Sequence, residues 1–199
     1  MILKRLISII LLIIPIISFV QCTDNEEHIQ ELYFVGDSHI TRWDLGYYFP
    51  NYITHNMGVA GSGIEYIESC QGEFSGKNIV VMSGINDIGL IGTEYTASSY
   101  AKRYADAIEK LQGKCVFVYS ILPTDMIEGE WSVDYLKLVA EVNTEIEAEL
   151  KQSEANVIYI NAYKDMNKNG SLNPEYSSDG IHLNDYGYEV LTERIQEKL

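Results

Sequence analysis

Short apolar runs, rich in β-branched and aromatic residues, recur along the chain. They are Leu32-Tyr33-Phe34-Val35, Tyr52-Ile53-Thr54-His55, Ile79-Val80-Val81-Met82, Val116-Phe117-Val118-Tyr119 and Val157-Ile158-Tyr159-Ile160. Most lack the apolar–polar alternation of a strand with one wet face, so they read as strands covered on both sides. Stretches of helical period lie between them. Tyr100, Tyr104, Ala107, Ile108 and Leu111 mark one apolar face; Trp131, Tyr135, Leu138, Val139, Val142, Ile146 and Leu150 mark another. A last helix is expected to begin near Asn184 and to turn Val190, Leu191 and Ile195 inward. Strands that alternate with helices are joined by right-handed crossovers into a parallel sheet. The expected fold is therefore α/β, with about five parallel strands between helical layers.

At 199 residues, with no repeat and no interdomain linker, the chain suits one medium domain. Its 14 basic and 29 acidic residues give a net charge of −15 and no basic run, which argues against nucleic acid as a partner. Residues 1–21 read as a signal peptide: Lys4 and Arg5 precede an apolar stretch that is too short for the roughly 20 residues of a membrane-spanning helix. Cys22 follows directly, then the acidic Thr23-Asp24-Asn25-Glu26-Glu27. A cysteine so placed resembles the lipobox of bacterial lipoproteins, which implies a diacylated Cys22. Gln21 departs from the small residue usual before it. An ordinary cleaved signal and an uncleaved anchor are the alternatives. Residues 22–30, with His28, are expected to tether the domain, 31–199, to an extracytoplasmic membrane surface. Cys70 is expected to end a helix and Cys115 to lie in a buried strand, both as free thiols, although the compartment permits a bridge. No C-x-x-C or His cluster suggests a metal site, and no cofactor is expected.

In an open α/β sheet the working surface lies at the carboxyl ends of the strands. Here the residues that follow are polar and glycine-rich: Gly36-Asp37-Ser38-His39, Asn56-Met57-Gly58-Val59-Ala60-Gly61-Ser62-Gly63, Ser83-Gly84-Ile85-Asn86-Asp87 and, before the last helix, Ser178-Asp179-Gly180-Ile181-His182. Together they supply what acyl transfer requires. A serine hydroxyl becomes a nucleophile when an imidazole takes its proton, and a carboxylate fixes the imidazole's tautomer. Asp179 and His182 have a spacing that a turn eased by Gly180 can close, with Nε2 directed toward Ser38. Donors for an oxyanion are the Ser38 amide, an amide of the Gly58–Gly61 loop and the Asn86 side chain.

These blocks, GDS, N-x-G-x-x-G, G-x-N-D and D-x-x-H in that order, resemble the SGNH (GDSL-type) hydrolase family over essentially the whole domain. The resemblance implies a three-layer, flavodoxin-like α/β/α sandwich and a metal-independent serine hydrolase of esters or thioesters. It assigns Ser38 as nucleophile, His182 as base and Asp179 as its orienting acid, with Ser38, Gly61 and Asn86 forming the oxyanion hole. His39 departs from the leucine of the name-giving motif.

Blander roles compete at each position. Ser38 could be only a helix cap. Asp37 is expected to brace its loop, Asp87 to be structural, Gly58 and Gly63 to serve backbone geometry, His39 to be a surface or rim residue and His55 a satisfied strand residue. Most of the 15 tyrosines are expected to bridge core and solvent. The expected substrate is a small acyl ester, an acetylated carbohydrate ahead of a lysophospholipid or thioester, because no long apolar insertion supplies an acyl lid. Acyl transfer to a sugar and a catalytically silent lipid-anchored binding module are the further alternatives.

Overall fold

The structure, a computed structural model, describes residues 30–124 and 133–199. The expectations for residues 1–29, Cys22 and His28 among them, and for Trp131 lie outside the described residues, as does the side chain of Tyr135. The chain runs β1 (Glu31–Gly36), α1 (Ser38–Thr41), α2 (Leu45–Tyr48), β2 (Ile53–Gly58), α3 (Ile64–Ser69), β3 (Asn78–Met82), a 3₁₀ turn (Ile85–Leu90), α4 (Ala97–Lys110), β4 (Cys115–Tyr119), α5 (Val133–Leu150), β5 (Val157–Ile160), α6 (Ala162–Met166), β6 (Asn167–Lys168), β7 (Ser171–Leu172) and α7 (Asp185–Gln196).

The first five strands form one parallel sheet in the order β2-β1-β3-β4-β5. This is the flavodoxin-like order, whose switch point opens beside β1. Side chains alternate across the pleat. Val35, Ile79, Val81, Val116 and Val118 pack on one face with Ile64, Ile67, Tyr104, Ile108, Val142 and Ile146 of α3, α4 and α5. Leu32, Phe34, Val80, Met82 and Phe117 pack on the other with Ile40, Trp43, Ala162, Leu191 and Ile195, from α1, the Trp43 turn, α6 and α7. The expected three layers are present.

Several boundaries differ from the sequence reading. The ladder between β1 and β2 continues to Gly36–Gly58, so Asn56 and Gly58 belong to a strand end and not to the following loop. β2 lies at the sheet edge, where His55 is half-exposed, stacked on Tyr33 at 4.3 Å and 2.7 Å from Glu31 Oε1. α6 and the antiparallel β6–β7 hairpin add to the expected elements. The Asn169-Gly170 turn, with φ of 57° and 96°, is the local signal that marks the hairpin. α7 starts beside Asn184, whose side chain accepts from the Gly187 amide. Cys70 caps α3 as a free buried thiol. Cys115 lies in β4 as expected but is disulfide-bonded, which corrects its reading as a free thiol and excludes Cys70 as its partner.

A buried polar contact joins the segment that follows β4 to the helical layer. Asn143 of α5, 5% exposed, accepts from the Ile121 amide at 2.8 Å and donates to the Ile121 carbonyl at 2.8 Å. Asn143→Ala strands both backbone groups and should lower unfolding free energy by about 2–4 kcal/mol in urea titration. An unchanged midpoint would contradict this account of how the segment after β4 is held.

Candidate active site

Ser38 opens α1 immediately after β1 and is 8% exposed. Its loop is set by Asp37, whose amide donates to the Met82 carbonyl at 3.2 Å and whose carboxylate accepts from the His39 amide at 2.9 Å. Asp37 thus braces its loop, as expected. The Ser38 amide sits in the first turn, where no intrahelical acceptor exists.

The second block packs against the first. Asn56 donates to the Ile40 carbonyl at 2.8 Å, tying the end of β2 to α1. A Cβ on Gly58 would collide with the Thr41 amide nitrogen, so this glycine is required for that close approach. Gly61 has φ +79° and open space over its Cα, which leaves it on the exposed rim. Between them, the Val59 amide donates to the Gly36 carbonyl at 2.8 Å.

Asn86, in the 3₁₀ turn, donates one amide hydrogen to the Ser62 carbonyl at 2.8 Å. That contact fixes the side chain and leaves the second amide hydrogen to point elsewhere. Asp87 faces inward, 4% exposed, accepting from the Ile64 amide at 2.8 Å and the Tyr100 hydroxyl at 2.6 Å. Burial raises its pKa above the ordinary carboxylate value despite those donors. It is structural, as its sequence context suggested.

The fourth block is a tight turn. Asp179 Oδ1 accepts from the amides of His182 at 2.7 Å and Ile181 at 2.9 Å, and Oδ2 lies 2.8 Å from His182 Nδ1. A carboxylate can only accept, so Nδ1 carries the hydrogen and Nε2 is left as an acceptor, the tautomer of a general base. Burial opposes the charge on Asp179, but the His182 imidazole and the two amides outweigh it and hold the carboxyl well below its usual range. Gly180 makes the turn at φ +79°. Ser177 anchors it by donating to the His182 carbonyl at 2.7 Å and accepting from the Gly180 amide at 2.9 Å, and Thr124 donates to the Gly180 carbonyl at 3.1 Å.

Asp179 and His182 are therefore joined directly. Ser38 and Asn86 are joined through the loop after β2. No hydrogen bond connects Ser38 Oγ to His182 Nε2 among the described residues; contacts of this kind commonly tighten only as substrate binds. The nearest link is His39, whose ring centroid lies 6.0 Å from that of His182. The expectation of a surface or rim histidine is wrong here: His39 is 2% exposed, because Asp37 and the Ile181 carbonyl satisfy both ring nitrogens in the interior. Sequence reasoning misses the roles of His39, Asn56, Ser177 and Thr124. The Asx-type spacing of Asp37 and His39 is the one legible signal.

The family model for GDSL-like lipases and acylhydrolases matches residues 34–190. No curated protein matches the chain. Among solved structures, a GDSL-like lipase from Bacteroides thetaiotaomicron is 23% identical, with a TM-score of 0.66 over 84% of this chain and 86% of that one. A carbohydrate esterase of family 3 from Talaromyces cellulolyticus is 17% identical, with a TM-score of 0.60 over 85% and 96%. An acetyl xylan esterase from Geobacillus stearothermophilus is 14% identical, with a TM-score of 0.61 over 85% and 94%. At these identities the likenesses establish a shared fold, whereas the family match spans most of the chain and every block of the site. The chain belongs to the SGNH (GDSL-type) family of lipases and acylhydrolases, and it is a serine hydrolase acting on ester bonds.

Proposed function

We propose that the chain is an exported carbohydrate O-acetyl esterase that works through Ser38, His182 and Asp179. His182 Nε2 takes the Ser38 Oγ proton as Oγ bonds to the ester carbonyl carbon. Asp179 holds the imidazole through Nδ1. The developing oxyanion is received by the Ser38 and Gly61 amides and the free amide hydrogen of Asn86. Collapse breaks the bond to the sugar oxygen, which leaves with the proton from His182. Water then repeats the sequence and releases acetate.

The observation that carries the mechanism is the 2.8 Å contact of Asp179 Oδ2 with His182 Nδ1, reinforced by two amides on the same carboxylate. The acetyl-sugar reading is supported by two carbohydrate-esterase neighbours and by the short, glycine-rich loop after β2.

A panel running from p-nitrophenyl acetate to palmitate, with acetylated oligosaccharides alongside, tests the substrate. Acetyl esters and acetylated sugars should be cleaved fastest, and Ser38→Ala should abolish turnover. Preference for long chains would replace this reading with the lysophospholipase alternative. Added sugar acceptors should leave the rate of acetate release unchanged; diversion of acetyl to sugar would indicate transfer.

Asn86→Ala should lower kcat by about a hundred- to a thousandfold with KM little changed. A variant with a reduced melting temperature and an intact kcat would assign Asn86 to the loop alone.

The depressed Asp179 carboxyl fixes the signs of the pH dependence. Asp179 remains ionised through weak acid, so its hold on His182 Nδ1 persists there. Because the folded-state pKa of Asp179 lies below its unfolded value, its contribution to stability is complete above about pH 4 and fades only in stronger acid. Urea midpoints that fall between about pH 6 and pH 4 in the parent but not in Asp179→Asn would contradict this reading of the carboxylate.

A further inference from the structure

Among the described residues, the buried His39 ring ties the Ser38 loop to the turn that carries His182. Its Nδ1 lies 3.1 Å from Asp37 Oδ1 and its Nε2 lies 2.9 Å from the Ile181 carbonyl oxygen. Asp37 is 1% and His39 2% exposed. The main chain of His39 is fixed as well: its amide donates to Asp37 at 2.9 Å, and its carbonyl accepts from the Tyr188 hydroxyl at 2.8 Å.

The far end of this bridge matters because of what shares its peptide unit. The Ile181 carbonyl and the His182 amide lie in one rigid plane. The amide side of that plane donates to Asp179 Oδ1 at 2.7 Å, and the carbonyl side accepts from His39. With both edges held, the plane cannot swivel, and the direction in which the His182 side chain leaves the backbone is set. His39 is itself the neighbour of Ser38, so one imidazole references the base to the nucleophile.

We propose that His39 is a positioning residue, a clamp whose bond to the Ile181 carbonyl fixes the reach from His182 to Ser38 and whose bond to Asp37 aims the ring. The proposal rests on the triad reading given above. Both partners of the ring are acceptors, so the clamp is complete when both ring nitrogens carry hydrogen. Burial by itself would depress the imidazole pKa, but the Asp37 carboxylate and the Ile181 carbonyl more than offset it and hold the value above the ordinary one. Asp37 is thereby more than a brace for its own loop.

Two amide side chains separate the ends of the clamp. The Gln amide in His39→Gln can place its N–H group near the position of Nε2 and keep the bond to Ile181. In His39→Asn the amide lies near Nδ1, which keeps Asp37 and leaves Ile181 unbridged. With full-length chain and p-nitrophenyl acetate, His39→Asn should lose about 10- to 100-fold in kcat, with KM within about twofold, as expected for a misdirected base. His39→Gln should stay within about threefold of the parent. Melting temperatures on the same preparations separate stability from geometry. A purely structural His39 would lower both melting temperatures and leave kcat per folded molecule equal. Should the Asn variant not fold, His39→Gln still decides: a tenfold or greater loss of kcat at parental stability would overturn the clamp, and retention would support it. Asn equal to or better than Gln in kcat would also overturn it. Fluorophosphonate labelling of the parent distinguishes the two levels: a parent unreactive at Ser38 removes the triad reading and the clamp together, whereas a reactive parent with parental kcat in His39→Asn removes the clamp alone.

Discussion

β1 is paired in parallel on both edges, Gly36 facing Gly58 of β2 on one side and Met82 of β3 on the other. It is also covered on both faces, Leu32 and Phe34 lying in one core and Val35 in the other. A strand confined in four directions cannot shift register without exposing apolar side chains or breaking two ladders. The residues that follow it inherit that rigidity. Asp37 and Ser38 leave the sheet at the switch point, between loops supplied by the neighbouring strands. Every later element of the site is placed relative to this exit.

The loops around Ser38 are held to one another mostly by polar contacts. Asn56 reaches α1, Asn86 reaches the loop after β2, Asp87 reaches α3 and α4, and Ser177 and Thr124 pin the turn that carries His182. Hydrogen bonds to backbone groups suit this task, because each has one geometry whereas apolar contacts slide. The Asp179–His182 turn goes furthest, with one carboxylate accepting from two amides and an imidazole. That turn sits far from Ser38 in sequence, after α6 and a small hairpin. Its alignment with Ser38 therefore depends on contacts across the fold, and the bridge from the buried His39 ring to the Ile181 carbonyl is one of them.

Local patterns in the amino-acid sequence carry much of this architecture. Apolar runs without alternation locate the five strands, and helical spacing locates α4, α5 and α7, because burial on both faces or along one stripe imposes those patterns directly. Asp179 and His182 can be paired from their spacing, since the contact is local. Long-range contacts leave no such trace. His39 reads as a rim residue because a lone polar side chain after a strand is usually exposed, and its partner at Ile181 is distant in sequence. The disulfide at Cys115 escapes for the same reason, as pairing depends on Cα separations that composition does not contain. The end of β2 is misplaced because Asn56 and Gly58 are poor strand formers that the β1 ladder nonetheless recruits.

The central claim, that these loops converge to activate Ser38, is tested most directly by mapping a fluorophosphonate adduct on the folded chain by peptide mass spectrometry while following esterase activity. The account predicts a single adduct on Ser38, with activity lost in proportion to labelling and no reaction in His182→Ala on the same timescale. An adduct on another residue, or full activity in chain whose Ser38 is quantitatively modified, would contradict it.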